Sequence, residues 1–98
     1  MAILLIFCEY TIPDAYLAAF RAWAASRPSR WEGAQLLESR DQPGVMLEIR
    51  QVDGEREAAR IEEERLGGRS DWHELEQWVK GGHAGIRVWT FRPYSFNG

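Results

Sequence analysis

Residues 2–9, AILLIFCE, decide how the rest of the chain is read. Apolar side chains fall on odd and even positions alike. In a strand, successive side chains point to opposite faces. A strand of this kind is therefore buried on both sides and belongs in the middle of a sheet. The sheet built around it needs cover on both faces.

Downstream, Thr11-Ile12-Pro13-Asp14 has the features of a helix start. Thr11 can cap, Pro13 suits the first turn and Asp14 suits the positive end of the dipole. The predicted helix runs to about Ala25, with Tyr16, Leu17, Phe20, Trp23 and Ala24 on one apolar face, and Pro28 prevents its continuation. Residues 33–40 and 45–52 read as strands joined through Asp41-Gln42-Pro43-Gly44, where Pro-Gly suits a type II turn. The second of these strands alternates Val45, Leu47 and Ile49 with Met46, Glu48 and Arg50.

A second helix is expected over residues 55–66, ending at Gly67-Gly68. Its few apolar residues are Ala58, Ile61 and Leu66. Arg56, Arg60 and Arg65 alternate with Glu57, Glu62, Glu63 and Glu64, which reads as ion pairing on a solvated face. A third helix starts near Ser70 or Asp71, where Asp71 and Glu74 resemble a capping box, and stops at Gly81-Gly82. It places Trp72, Leu75 and Val79 on one face, with Trp78 at the edge. Residues 86–93 form the last strand, with Ile86, Val88 and Thr90 opposed to Arg87, Trp89 and Phe91.

The order β-α-β-β-α-α-β predicts an α+β, ferredoxin-like fold with a four-stranded antiparallel sheet and all helices on one side. One helical layer leaves the face carrying Trp89 and Phe91 uncovered. Monomers rarely expose an apolar patch of that size. A second copy packed face to face is the simplest cover, so the expectation is a homodimer.

Composition sets the remaining bounds. Ninety-eight residues make one domain, residues 1–98, with 45% hydrophobic and 28% charged positions. A chain of this length buries roughly 60–70% of the surface its unfolded form exposes. The net charge of −3 argues against a nucleic-acid partner, which calls for a basic face. No apolar run reaches the ~18 residues needed to span a bilayer, and the apolar start lacks the basic flank of a signal peptide. A single cysteine forms no internal disulfide, which fits a reducing cytoplasm.

The chain resembles the dimeric α/β-barrel superfamily, in particular its antibiotic-biosynthesis-monooxygenase-like domains. The resemblance rests on the element order, the apolar first strand ending Cys8-Glu9-Tyr10, the charged second helix, the short segment Ser70-Asp71-Trp72-His73-Glu74-Leu75 and the closing strand Arg87-Val88-Trp89-Thr90-Phe91. It implies a barrel made across two sheets, with a small-molecule cavity between each sheet and its helices. Members named in this superfamily include cofactor-free oxygenases, isomerases and haem-degrading enzymes, and fold alone does not choose among them.

Two functional readings follow. In the first, the protein is a cofactor-independent monooxygenase or isomerase acting on a planar, partly polar small molecule. Tyr16, Trp72 and Trp78 would wall the cavity, Trp31 would rim it, and Glu9, Glu48 or His83 would handle protons. In the second, it is a non-catalytic dimeric binding or accessory protein whose tryptophans are core, whose strand charges pair, and whose partner is at most a small aromatic ligand. No cofactor or metal is expected. Haem is the lesser alternative: the haem-degrading relatives imply a tryptophan, an iron-ligating histidine and a first-strand asparagine, and here Phe7, Cys8 and Glu9 stand where that asparagine would be. Two histidines ten apart with one cysteine match no metal-ligand spacing. His73 reads as solvated.

Overall fold

A computed structural model describes residues 3–67 and 72–96. The elements are β1 (Ile3–Thr11), α1 (Asp14–Ser26), β2 (Ala34–Glu38), β3 (Val45–Asp53), α2 (Glu55–Leu66), α3 (Trp72–Leu75) and β4 (Arg87–Phe91), with short 3₁₀ turns at Pro28–Trp31, Glu76–Trp78 and Gly82–Gly85. The four strands form one sheet in the order β2-β3-β1-β4, and every neighbouring pair is antiparallel. The architecture is α+β and consistent with a ferredoxin-like fold. β1 lies inside the sheet, as its two apolar faces require.

The period-2 pattern assigns the faces. Leu4, Ile6, Cys8 and Tyr10 are buried under the helices, as are Met46, Glu48 and Val52 of β3. Two apolar clusters fill that side. One gathers Tyr10, Phe20, Trp23, Met46, Trp72 and Leu75, with Cys8, Val79 and Ile86 among its other members. The other joins Leu4, Ile6 and Val52 to Ala58 and Ile61 of α2. On the opposite face Leu5, Phe7, Leu47, Trp89 and Phe91 line a shallow apolar hollow, with Trp89 and Phe91 43% and 53% exposed. Phe7 meets Phe91 edge-on at 5.2 Å between ring centroids.

The turn between β2 and β3 has the expected geometry. Val45 N–H donates to Gln42 O at 3.1 Å, and Gly44 has φ +92°. A side chain at 44 is doubly excluded, because a Cβ there would lie 2.2 Å from Ile12 O. That approach serves a bond, since Ile12 N–H donates to Gly44 O at 2.7 Å.

Four details differ from the sequence reading. Thr11 ends β1 instead of capping α1, and Pro13 occupies the cap position without a side-chain hydrogen bond. β2 covers only 34–38, although Ser39 N–H still donates to Val45 O at 2.8 Å before the chain bends. The third helix is one α turn followed by a 3₁₀ turn. There Lys80 N–H donates to Thr11 O at 2.8 Å, which ties the chain to the end of β1. Leu66 is 43% exposed, and Arg65 takes the buried position in the last turn of α2. The proposed capping residue Asp71 lies outside the described residues. Among the described residues no helix is long and apolar enough to cross a membrane.

Candidate functional site

Glu48 is on the helix side of β3, in line with Met46 and Val52, where an apolar residue would be usual. It is 2% exposed. An isolated carboxylate there would be costly. Arg65 reaches it from the end of α2 and is itself 3% exposed. The guanidinium engages both carboxylate oxygens, with Nη2 2.9 Å from Oε2 and Nη1 on Oε1. Tyr10 Oη donates to Oε2 as well. Burial disfavours the Arg65 cation, but the Glu48 charge and hydrogen bonds outweigh this and raise its pKa. Burial foremost, then the Glu48 charge, holds the Tyr10 phenol well above its usual value. Burial likewise pushes the Cys8 thiol up to about 12. The network is a buried ion pair flanked by a phenol and a thiol whose ionisation burial disfavours.

Arg65 also lies 3.7 Å over the ring of Trp72, a cation–π contact. Trp72 Nε1 donates to Glu64 Oε1 at 2.8 Å. Trp23 is the hub of the aromatic cluster, with centroids 6.1, 5.9 and 5.8 Å from those of Trp31, Trp72 and Trp78. Trp31 meets Trp72 at 5.5 Å and donates to Ala24 O at 2.8 Å. Arg30 covers Trp23 at 4.0 Å. Four of the five tryptophans thus form one wall behind the 3₁₀ turn Pro28–Trp31.

That turn separates two clefts. The first, of about 430 Å³, runs between α1 and β2 and is lined by Leu17, Phe20, Ala24, Trp31, Leu36 and Met46, with Ala25 at its edge. Its ionisable residues are Arg21 and Glu38, which pair at 3.4 Å, and Glu38 also accepts from Gly44 N–H at 2.9 Å. The second, of about 380 Å³, lies between the turn, β3 and α2 and is rich in arginine.

The structure brings Trp31, Trp72 and Trp78 together around Trp23. Tyr16, 46% exposed in the first turn of α1, lines neither cleft. The three proton-handling candidates are dispersed. Glu48 is sealed in the interior. Glu9 is half-buried on the other face of the sheet, opposite Arg87 in register, and lines a cleft with Lys80 and Arg87. His83 occupies the 3₁₀ turn Gly82–Gly85, with Nδ1 3.1 Å from Glu76 Oε2. His73 is exposed beside the same glutamate at 3.7 Å. Among the described residues no group of three His, Cys, Asp or Glu side chains is placed to hold a metal ion. Sequence reasoning missed Arg65, although its spacing from Ala58 and Ile61, seven and four residues, sets it on their stripe.

Comparison of the chain with protein-family models, with curated proteins and with solved structures gives no match in any of the three. The likeness to monooxygenase-like domains is thus carried by element order and residue pattern alone.

Proposed function

We propose that the protein is a non-catalytic homodimer that binds a planar, largely apolar small molecule in the cleft between α1 and β2. The observation that carries this reading is the chemistry of the cleft wall: apolar and aromatic side chains surround it, and its carboxylate, Glu38, is engaged by Arg21 and by Gly44 N–H. Binding sites for small molecules have this apolar character. A general base needs an oxygen within reach of substrate, and Glu48 spends both of its oxygens on Arg65 and Tyr10.

The open face of the sheet supports the second copy. Its centre is Leu5, Phe7, Leu47, Trp89 and Phe91, and Glu9 and Arg87 stand as an opposite-charged pair at one end. A two-fold interface is self-complementary, so an apolar centre with charges of both signs at its rim suits it. The buried thiol of Cys8 fits a cytoplasmic setting. One feature favours the monooxygenase or isomerase alternative: Glu9 is half-buried in a cleft with two cations, Lys80 and Arg87.

The test is a titration with 2-naphthol, a neutral planar aromatic, followed by tryptophan fluorescence and native mass spectrometry. The expected result is saturable quenching, one ligand per chain, and a dimer mass. Ala25→Phe, at an exposed position on the cleft, should abolish the quenching without unfolding the chain. Quenching unchanged in that variant, or a monomer mass, counts against the proposal.

A further inference from the structure

The last residues of β1 border a cleft of about 490 Å³ whose lining is ionic. Glu9 and Thr11 come from β1, Arg87 from β4, Gln42 from the turn before β3, and Lys80 and Gly81 from the turn before β4. The side chains of Glu9, Lys80 and Arg87 have no hydrogen-bond or ion-pair partner among the described residues. Glu9 and Arg87 stand opposite each other in the β1–β4 register and still form no ion pair. Elsewhere on the surface neighbouring charges do pair, as Arg21 with Glu38 and Arg60 with Glu57 and Glu64.

The backbone fixes the spacing of these three groups. Glu9 and Thr11 are two residues apart on one strand and so share a face. Lys80 N–H donates to Thr11 O at 2.8 Å, which anchors Lys80 beside that face. The turn that follows is closed tightly. Gly82 N–H donates to Val79 O at 2.8 Å, and a Cβ at Gly85 would lie 2.0 Å from Lys80 O. Anchor points held in this way reduce the ordering that a ligand must impose.

The charges select the ligand. A simple anion would meet Lys80 and Arg87 but also the half-buried carboxylate of Glu9. A diamine would suit Glu9 and be repelled by two cations. Two cations and one carboxylate are the complement of a molecule with two carboxylates and one ammonium. We propose that this cleft binds an acidic α-amino acid, its carboxylates on Arg87 and Lys80 and its ammonium on Glu9. The planar fork of Arg87 suits a bidentate carboxylate, and Lys80 acts as a point charge. Thr11 and Gln42 add uncharged polar groups to the lining.

The site shares no residue with the apolar cleft between α1 and β2. The test is a heteronuclear NMR titration of the purified protein at constant ionic strength. The probes are L-glutamate, glutarate, which lacks the ammonium, L-glutamine, which lacks the second carboxylate, and putrescine. L-Glutamate should give saturable shifts at the amides of Thr11, Gly81 and Arg87. Glutarate and L-glutamine should each bind about tenfold more weakly, the factor that losing a contact worth about 1.4 kcal/mol brings, and putrescine should not bind. Arg87→Gln and Lys80→Gln, both at exposed positions, should each weaken L-glutamate by about the same factor while far-ultraviolet circular dichroism stays unchanged. Glu9→Gln should erase the preference for L-glutamate over glutarate, a change that a merely structural role would not produce. Absence of saturable shifts with L-glutamate, glutarate binding the wild type as tightly as L-glutamate, or an affinity unmoved in Arg87→Gln and Lys80→Gln alike would overturn the proposal. Quenching by 2-naphthol should survive in all three variants, and its loss alongside the amino-acid affinity counts against assigning them to this site.

Discussion

Glu48 of β3 and Arg65 of α2 form a bidentate ion pair in which each side chain is 3% exposed, and Tyr10 donates to the same carboxylate. The pair pins the end of α2 to the centre of the sheet. Removing one partner strands the other charge in the interior. Arg65→Leu and Glu48→Leu are each expected to lower stability by about 3–5 kcal/mol, and Tyr10→Phe by about 1.5–3 kcal/mol, the value of a hydrogen bond to a charged group. The combined change of Glu48 and Arg65 to leucine with Tyr10 to phenylalanine should recover most of the loss, because no polar group is left unpaired. Urea denaturation of the four proteins checks this; a triple variant as unstable as the sum of its parts would contradict it.

Alkaline pH should destabilise the fold. Cys8 ionises at 9.0 in the unfolded chain and at about 12 in the folded one. Below pH 9 both states hold the proton and stability does not depend on it. Between 9 and about 12 the unfolded chain loses the proton and the native one keeps it. Stability then falls with rising pH by up to about 1.4 kcal/mol per unit from this group. Tyr10, raised well above 10, acts with the same sign from pH 10 upward. Denaturation midpoints of wild type and Cys8→Ala between pH 8 and 11 should diverge, the variant losing less as pH rises. In the same range the native thiol should react with iodoacetamide only as fast as the chain opens.

Gly44→Ala tests the turn. Its φ of +92° and the 2.2 Å approach to Ile12 O leave no place for a methyl group. Backbone strain of this kind costs roughly 1–3 kcal/mol. For a domain of this size each 1 kcal/mol lowers Tm by roughly 4–8 °C. Gly33→Ala, at φ +74° with nothing within 4 Å of the added carbon, should cost less. Equal losses at the two glycines would show that contact with Ile12 is unimportant.

Trp89→Lys with Phe91→Glu places charges on the open sheet face, outside the helix-side core. The homodimer proposal predicts a dimer mass by light scattering for the wild type and a folded monomer for the double variant. An unchanged mass for the double variant would move the interface elsewhere.

Much of this molecule is legible in its residues, and the limits have physical causes. The two-sided apolar character of β1 and the strict alternation of β3 and β4 fixed the sheet and its faces, because a strand's period leaves no latitude. Pro43-Gly44 announced its turn. The Glu48–Arg65 pair was harder to see. The strand charges were expected to pair among themselves or to handle protons, and α2 looked like a solvated helix rich in local pairs. The spacing of Ala58, Ile61 and Arg65 carries the signal, but arginine is so rarely buried that composition masked it. Trp31 was opaque for another reason. Its place is set by rings from α1 and α3, and contacts that distant in sequence leave no periodic trace. The arginine cleft is of the same kind, assembled from residues 27 to 65 across three elements.

β1 lies between β3 and β4, so the strand synthesised first has one neighbour that is synthesised last. On the ribosome, AILLIFCE can be gathered by β3 after about half of the chain has emerged, but its other edge stays open until Arg87–Phe91 has left the exit tunnel. Such long-range pairings form late, and an open apolar edge invites pairing with other chains. Until then its most hydrophobic strand is paired along one edge only, and the fold is completed by the last strand to be made.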